Sequence, residues 1–456
     1  MKNKTTDTIT NRTVPEDVLW GPQTQLSLHH FNIGQHCFPH DFISALVTIK
    51  KCCAQINFTE NQLSNEIYTA ISSACDELLE GQYRDQFPLQ IWQTGSGTQT
   101  NMNVNEVICT LANNYQNRSK KETIHPNDHV NMSQSSNDVI PSAMHIVVAQ
   151  LTHDKLLQAL EQLLNTLHDK QLEFKGQVSV GRTHLMDALP LPSGAVLSGY
   201  GEQLAQAKSA ILDSLDGIYH LAIGGTAVGT GANAPANFGQ KVSTCLANHY
   251  QLPFKTHHNL FAAVSGEDAL LRYSSTLKQL ASVLFKIAND FRLLGSGPDC
   301  GFNEWLLPAN EPGSSIMPGK VNPTQCEALS MVCLQVFGNE LTVSLAASHG
   351  QLQLNTYRPV IIHNVMESIE LLSDAMISFA THCVSGLELN KKQIKNNMQN
   401  NLSAITLLTD KLGYDVAARI VNEAMTQDTS LAQAAESLGL YSEDKFTALL
   451  DEQLHE

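Results

Sequence analysis

The sequence predicts a mostly α-helical protein, and three observations carry that prediction. First, Leu270, Tyr273, Leu277, Leu280, Leu284, Ile287, Phe291 and Leu294 recur at intervals of 3-4-3-4-3-4-3, with Gly295 following as a stop. That is a heptad seam sustained over more than three heptads. Second, Leu156, Leu160, Leu163 and Leu167 repeat the 4-3-4 spacing, and unbroken helical patterns run over 192–221, 324–347 and 358–385. Third, 42% of the 456 residues are hydrophobic but only 16% are charged, against about 25% in ordinary domains. The core is therefore ample, and part of the surface is expected to lie against other subunits.

Taken in order, the chain divides into three zones. Residues 1–138 mix short helical patterns with Gly, Pro and Asn punctuation. Residues 139–386 carry the long helices, and 387–456 return to shorter ones broken by Gly413 and Gly439. A 30-residue helix is about 45 Å long. Five such rods with narrow apolar seams pack side by side as a bundle. The rod after Thr324 spreads Ala328, Met331, Cys333, Leu334, Val336, Phe337 and Leu341 around its circumference. A helix apolar on most sides is buried on most sides, which favours an oligomer.

Charge narrows the function. Lys and Arg total 28 against 44 Asp and Glu, a net charge of −16. Such a chain repels phosphate backbones and anionic lipid, which argues against nucleic-acid or membrane partners. An anionic ligand would need locally placed donors and a few cations. No run approaches 18 apolar residues, so no membrane span is predicted. Met1 to Thr13 shows no apolar stretch of a secretory signal. The 10 cysteines are scattered without a C-x-x-C, the pattern of reduced thiols, so a cytoplasmic location is expected.

Four polar, Gly-punctuated segments interrupt the helices and carry the candidate chemistry. The first runs from Thr94 to Glu106, where Gly95 and Gly97 free the backbone beside Ser96 and Thr98. A loop of that kind opening a helix can accept a carboxylate or phosphate, although an ordinary N-capped turn reads the same way. The second, His125 to Asp138, has 9 Ser, Asn, Asp or Gln among its 14 residues. Capping explains one or two of them; the set suits binding an anion through neutral donors. His125 and His129 are four apart, but Pro126 and the turn-forming Asn127-Asp128 argue against a helical metal pair.

The third segment, Val180-Gly-Arg-Thr183-His184-Leu185, holds a histidine that gains weight only if a carboxylate reaches it. The fourth, from Gly313 to Glu327, sets two Gly and two Pro around Ser314, Ser315 and Lys320, a loop able to move and to close in one shape. It is not a P-loop, because Val321 follows Lys320. Nor is it the G-x-S-x-G elbow of a serine hydrolase. Gly229-Thr-Gly231-Ala-Asn-Ala234 fits a dinucleotide fingerprint, but its helical surroundings lack βαβ alternation.

Gly313-Ser-Ser-Ile-Met-Pro-Gly-Lys-Val-Asn-Pro resembles the signature of the fumarase/aspartase superfamily. From Trp20 to at least Tyr441 the chain is similar to class II fumarate hydratases. Gly-Arg-Thr-His184, Pro-Gly-Lys-Val-Asn-Pro-Thr-Gln-Cys-Glu327, Ser-Gly-Thr-Gln and His-Pro-Asn-Asp are all fumarase forms; aspartases usually carry Gln where His184 stands. A non-catalytic scaffold on the same fold would have no need for the Ser-Lys loop.

The resemblance implies a three-domain helical protomer, a homotetramer built on a multi-helix core, and active sites shared by three subunits. It implies reversible hydration of fumarate to (S)-malate without iron or another cofactor. By the same resemblance Ser314 is the C–H base, and His184 paired with Glu327 handles the hydroxyl or water. Ser96, Gly97, Thr98, Ser135, Ser136, Asn137, Thr183, Ser315, Lys320, Val321 and Asn322 match substrate-contact positions. His125, Pro126, Asn127 and Asp128 match a secondary dicarboxylate site. The residue types fit independently: dehydrating malate needs a base for a poorly acidic C–H, an acid for the hydroxyl, and donors converging on a doubly charged carboxylate.

The departures cluster around this set. Met186, Leu189, Pro192, Ser193, Ala195 and Val196 replace a usual Gln, Thr, Thr, Leu, Gln and Glu. Met132 stands where Lys is common, Asp299 and Leu26 where Arg is common, and Glu122 where a basic residue is frequent. Altered affinity, oligomer contacts or regulation are expected from these changes, and the Glu122 change bears most on the secondary site.

Overall fold

The computed structural model describes residues 14–116 and 123–455. Glu122 and the segment from Met1 to Thr13 lie outside the described residues. Among those described there are seventeen α-helices and only three two-stranded sheets, the mostly helical fold that the periodicities predict.

The seam of the Asp268–Leu294 helix is buried as its spacing requires: Leu270, Tyr273, Leu277, Leu280, Leu284, Ile287 and Phe291 are wholly inaccessible. Gly295 ends it, its N–H donating to Phe291 O at 2.9 Å. Leu156, Leu160, Leu163 and Leu167 are also buried. They lie on a rod made of the helices Ser136–Leu151 and Leu157–Glu173, joined by a π-turn at Thr152–Leu156. The cause of that turn is visible. Thr152 Oγ1 donates to Val148 O at 2.6 Å and meets Tyr273 OH at 2.5 Å, and a hydroxyl bonding back into the ladder loosens it. The remaining rods are Ser193–Ile218, Thr324–Ser348 and Arg358–Phe379.

Contacts group the chain into two units. One comprises Met1–Leu157, Ser209–Gln279 and Gln335–Leu371; the other comprises Gln158–Lys208, Leu280–Leu334 and Leu372–Glu456. This is a division by contact, whereas the zones 1–138, 139–386 and 387–456 are stretches of sequence character. The first unit is centred on the buried face of the helix His40–Thr59, with Phe42, Leu46, Ile49 and Cys53 inaccessible. The second contains a compact C-terminal core of Ala404, Leu408, Ile420, Ala434, Phe446 and their neighbours.

The Thr324–Ser348 helix needs separate comment. By length and mean hydropathy it is the one helix among the described residues able to cross a membrane. One side carries buried Asn339, bonded to Glu367 and Ser368, and buried Glu340, paired with Lys278 at 2.7 Å. The other side leaves Met331, Leu334, Leu341 and Leu345 more than half exposed.

Candidate active site

In the first unit, the two Ser-rich segments become the opening turns of two helices. Thr94 to Gly97 form a tight turn, with Gly97 N–H donating to Thr94 O at 2.9 Å, ahead of the helix Thr98–Gln116. Gly97 sits at φ +73°, and a side chain on Gly95 would place its Cβ 1.4 Å from Thr356 O. Both glycines are therefore obligatory here. Ser96 Oγ and Thr98 Oγ1 are 2.8 Å apart. Ser135 caps the helix Ser136–Leu151 through a capping box: Asn137 N–H donates to Ser135 Oγ, and Ser135 N–H donates to Asp138 Oδ1 at 2.9 Å. Helix N-termini favour anions, so both segments have the polarity that a dicarboxylate requires.

One buried side chain ties the two segments together. Pro141 has no N–H, which leaves the Asn137 carbonyl without its helical partner. Arg358 Nη1 donates to that carbonyl at 2.9 Å, and the backbone N–H of Arg358 donates to Gly95 O at 3.0 Å. Arg358 is fully buried and pairs through Nε with Glu267 at 2.6 Å. Asp138 is equally buried. Its Oδ2 accepts the N–H groups of Gly224 at 3.0 Å and Thr226 at 2.8 Å. Burial pushes its carboxyl up to about 6.

His125 to Asp128 forms the start of a one-turn π-helix, Pro126–Val130. Pro126 and Asn127-Asp128 argued against a helix there, and the structure has this single turn of one. Proline is tolerated at a first helical position, where its missing N–H costs nothing, and the rings complete the caps. His125 Nδ1 accepts from Asn127 N–H at 3.3 Å and Asp128 N–H at 3.2 Å, while His129 Nδ1 accepts from His125 N–H at 2.9 Å. Among the described residues no three His, Cys, Asp or Glu side chains gather at metal-holding distances.

In the second unit, Val178–Thr183 and Met186–Pro192 pair as an antiparallel hairpin. Its two turn residues are His184 and Leu185, at φ 58° and 62°. Two-residue turns with both φ positive normally take Asn-Gly; here a histidine and a leucine bear that backbone strain at an exposed tip. The hairpin is pinned close to this tip. Gly181 admits no Cβ, because Leu189 O would lie 2.5 Å away. Arg182 grips buried Glu304 with two bonds, at 3.0 and 2.7 Å, and lies over Phe302. The departures Met186, Leu189 and Pro192 all fall on the second strand.

The loop carrying Ser314 closes on itself. Gly313 N–H donates to Lys320 O at 2.8 Å, and Asn322 Nδ2 donates to Gly313 O at 2.6 Å. Inside it, Ser314 Oγ accepts the N–H groups of Ile316 at 3.2 Å and Met317 at 3.1 Å. Lys320 Nζ bonds Asn322 Oδ1. Ser315, Lys320 and Val321 are exposed, as is Glu327 in the first turn of the Thr324–Ser348 helix. Among the described residues, no hydrogen bond or ion pair within one chain joins His184 to Glu327, Ser314 or Lys320.

The lyase family matches residues 10–338, and the fumarase C C-terminus family matches 405–453. A class II fumarate hydratase of Pseudomonas syringae pv. tomato is 50% identical over 450 residues, covering 98% of this chain and 97% of its own. One from Thermosynechococcus vestitus is 50% identical over 435 residues, covering 95% and 93%. The chain belongs to the class II fumarate hydratase family. The crystal structure of a class II fumarase from Schistosoma mansoni superposes with a TM-score of 0.93 at 44% identity, covering 98% of this chain and 97% of that one. A fumarate lyase:delta crystallin from Brucella melitensis, bound to cobalt, superposes at 0.95 with 36% identity, covering 100% and 99%.

Within this fumarase fold, sequence reasoning passed over Arg358 and Lys50, and it gave Asp138, Asn101 and Asn131 no role of their own. One signal was available: Lys50 falls on the same helical face as Leu46 and Cys53, a charge where the period calls for an apolar residue.

Proposed function

We infer that the chain catalyses the reversible hydration of fumarate to (S)-malate by general acid/base catalysis. The observation that carries this reading, beyond family membership over nearly the whole chain, is the Ser314 hydroxyl. Its oxygen accepts two backbone N–H groups inside a loop closed at Lys320, the environment in which an alkoxide is stabilised.

In the dehydrating direction Ser314 Oγ takes the proton from the carbon beside one carboxylate, and the electron pair moves into that carboxylate. The resulting doubly charged group is held by neutral donors of the Ser96–Thr98 and Ser135–Asn137 turns together with Thr183, Ser315, Lys320, Val321 and Asn322. His184, oriented by Glu327, delivers a proton to the departing hydroxyl, which leaves as water while the electron pair forms the double bond. Hydration runs these steps in reverse.

His184 and Glu327 form no pair within one chain, which supports their coming from different copies. The exposed stripe of Met331, Leu334, Leu341 and Leu345, spaced 3-7-4 along one helix, supports a homotetramer with active sites shared by three subunits. Its ten free cysteines suit a reducing cytoplasm. His125 to Asp128 would serve as the secondary dicarboxylate site.

The test is ultraviolet absorbance of purified protein with L-malate and a chelator, alongside solution mass by light scattering. Growth of the conjugated fumarate band from a particle of four chains is expected. A flat trace with L-malate, accompanied by ammonia release from L-aspartate, would overturn the reading.

A further inference from the structure

We propose that Lys50, a buried ammonium held by neutral amides beneath the Ser135–Asn137 helix start, supplies a fixed positive charge that draws the substrate's carboxylates to a turn whose outward-facing donors are neutral. The proposal rests on the hydratase reading above and names a positioning residue for it.

Lys50 projects from the His40–Thr59 helix and is completely inaccessible. Nζ donates to Asn131 Oδ1 at 2.7 Å and Gln134 Oε1 at 3.0 Å. Among the described residues no carboxylate lies within ion-pair distance of it. The carboxylate that influences it, Asp138, has its oxygens committed to the N–H groups of Ser135, Gly224 and Thr226. Burial pulls Lys50 down to about 8 while it pushes Asp138 up to about 6.

An ammonium removed from water without a carboxylate in contact is costly, and an apolar side chain would fill the space at no such cost. The charge gains its compensation when an anion arrives nearby. The route to the loop is short. Asn131 Oδ1, which accepts from Lys50, also accepts from Asn101 Nδ2 at 3.2 Å, and the same Nδ2 donates to Ser136 Oγ at 3.2 Å. A hydroxyl whose oxygen receives that N–H keeps its own hydrogen for a substrate carboxylate. In a chain of net charge −16, a loop of neutral donors needs such a local cation to hold a dianion.

Two variants test the charge separately from the packing. Lys50→Met removes the ammonium; Asn131→Asp keeps it and sets a carboxylate against it. Each is expected to raise KM for L-malate, and the competitive inhibition constant of succinate, about tenfold or more, with kcat within about threefold of the parent. A merely structural lysine would leave Asn131→Asp unaffected, since that change adds an ion pair. Unchanged KM in either folded variant overturns the proposal. If Lys50→Met does not fold, Asn131→Asp decides by the same criterion. If the parent itself fails to convert L-malate, the hydratase reading falls instead. Calorimetric titration of all three proteins with succinate then reads the charge effect alone: weaker binding by both variants supports it, and equal or absent binding in all three overturns it.

Discussion

The turns of the first unit and the tips of the second solve opposite problems. Ser96 to Thr98 and Ser135 to Asn137 begin helices held from behind by buried groups, through Arg358, Asp138, Asn101 and Lys50. His184 and the Ser314 loop lie at exposed positions, bonded mainly to themselves, on backbone that carries strain at the hairpin tip. The difference teaches where this protein keeps its order: the helix-opening turns are held in place by buried side chains, while His184 and the Ser314 loop have few partners within the chain.

The largest effect should come from the exposed side. Ser314→Ala removes the proposed base and should lower kcat by a factor on the order of 10²–10⁴ with little change in KM; steady-state rates with L-malate check this, and turnover at the parent's rate would remove the base assignment. Arg358→Met tests the ordered side. It strands Glu267 and frees the carbonyl of Asn137, so a loss of about 3–5 kcal/mol is expected in urea unfolding. A small loss there would mean that the two turns hold themselves.

Leu185→Gly sharpens the contrast from the strained tip. Leucine at φ 62° disfavours its own backbone, and glycine should raise stability by roughly 0.5–1 kcal/mol, read as a higher melting temperature. A lower one would show that the leucine side chain is held by something outside the single chain. The smallest effect is expected from His125→Asn. Asparagine can accept the same N–H groups as the ring, so turnover should stay close to the parent's; a collapse like that of His184→Asn would transfer the proton-handling role to His125.

How much of this was legible in sequence follows from the range of each interaction. The Leu270-to-Leu294 seam, the stop at Gly295 and the rods over 324–347 and 358–385 were readable, because a helix repeats its environment every three or four residues. The four chemical segments were readable for a similar reason: Gly, Ser, Asn and Pro act on their own backbone. The π-turn after His125 was not, since it depends on two imidazole rings capping it. Nor was the hairpin at His184, which forms against the turn chemistry of its own residues and is held by Glu304, 122 positions from Arg182.

By itself, then, the sequence determined the helical bundle, its seams, the anion-suited turns and the family to which they belong, all of them properties of neighbours along the chain. Tertiary structure alone decided that Arg358 joins Gly95 to Asn137, 221 residues apart from the second of these, and that Lys50 reaches Asn131 across 81 residues. A buried charge reads in sequence only as an exception to a period. What it does depends on the partners that folding brings to it through space.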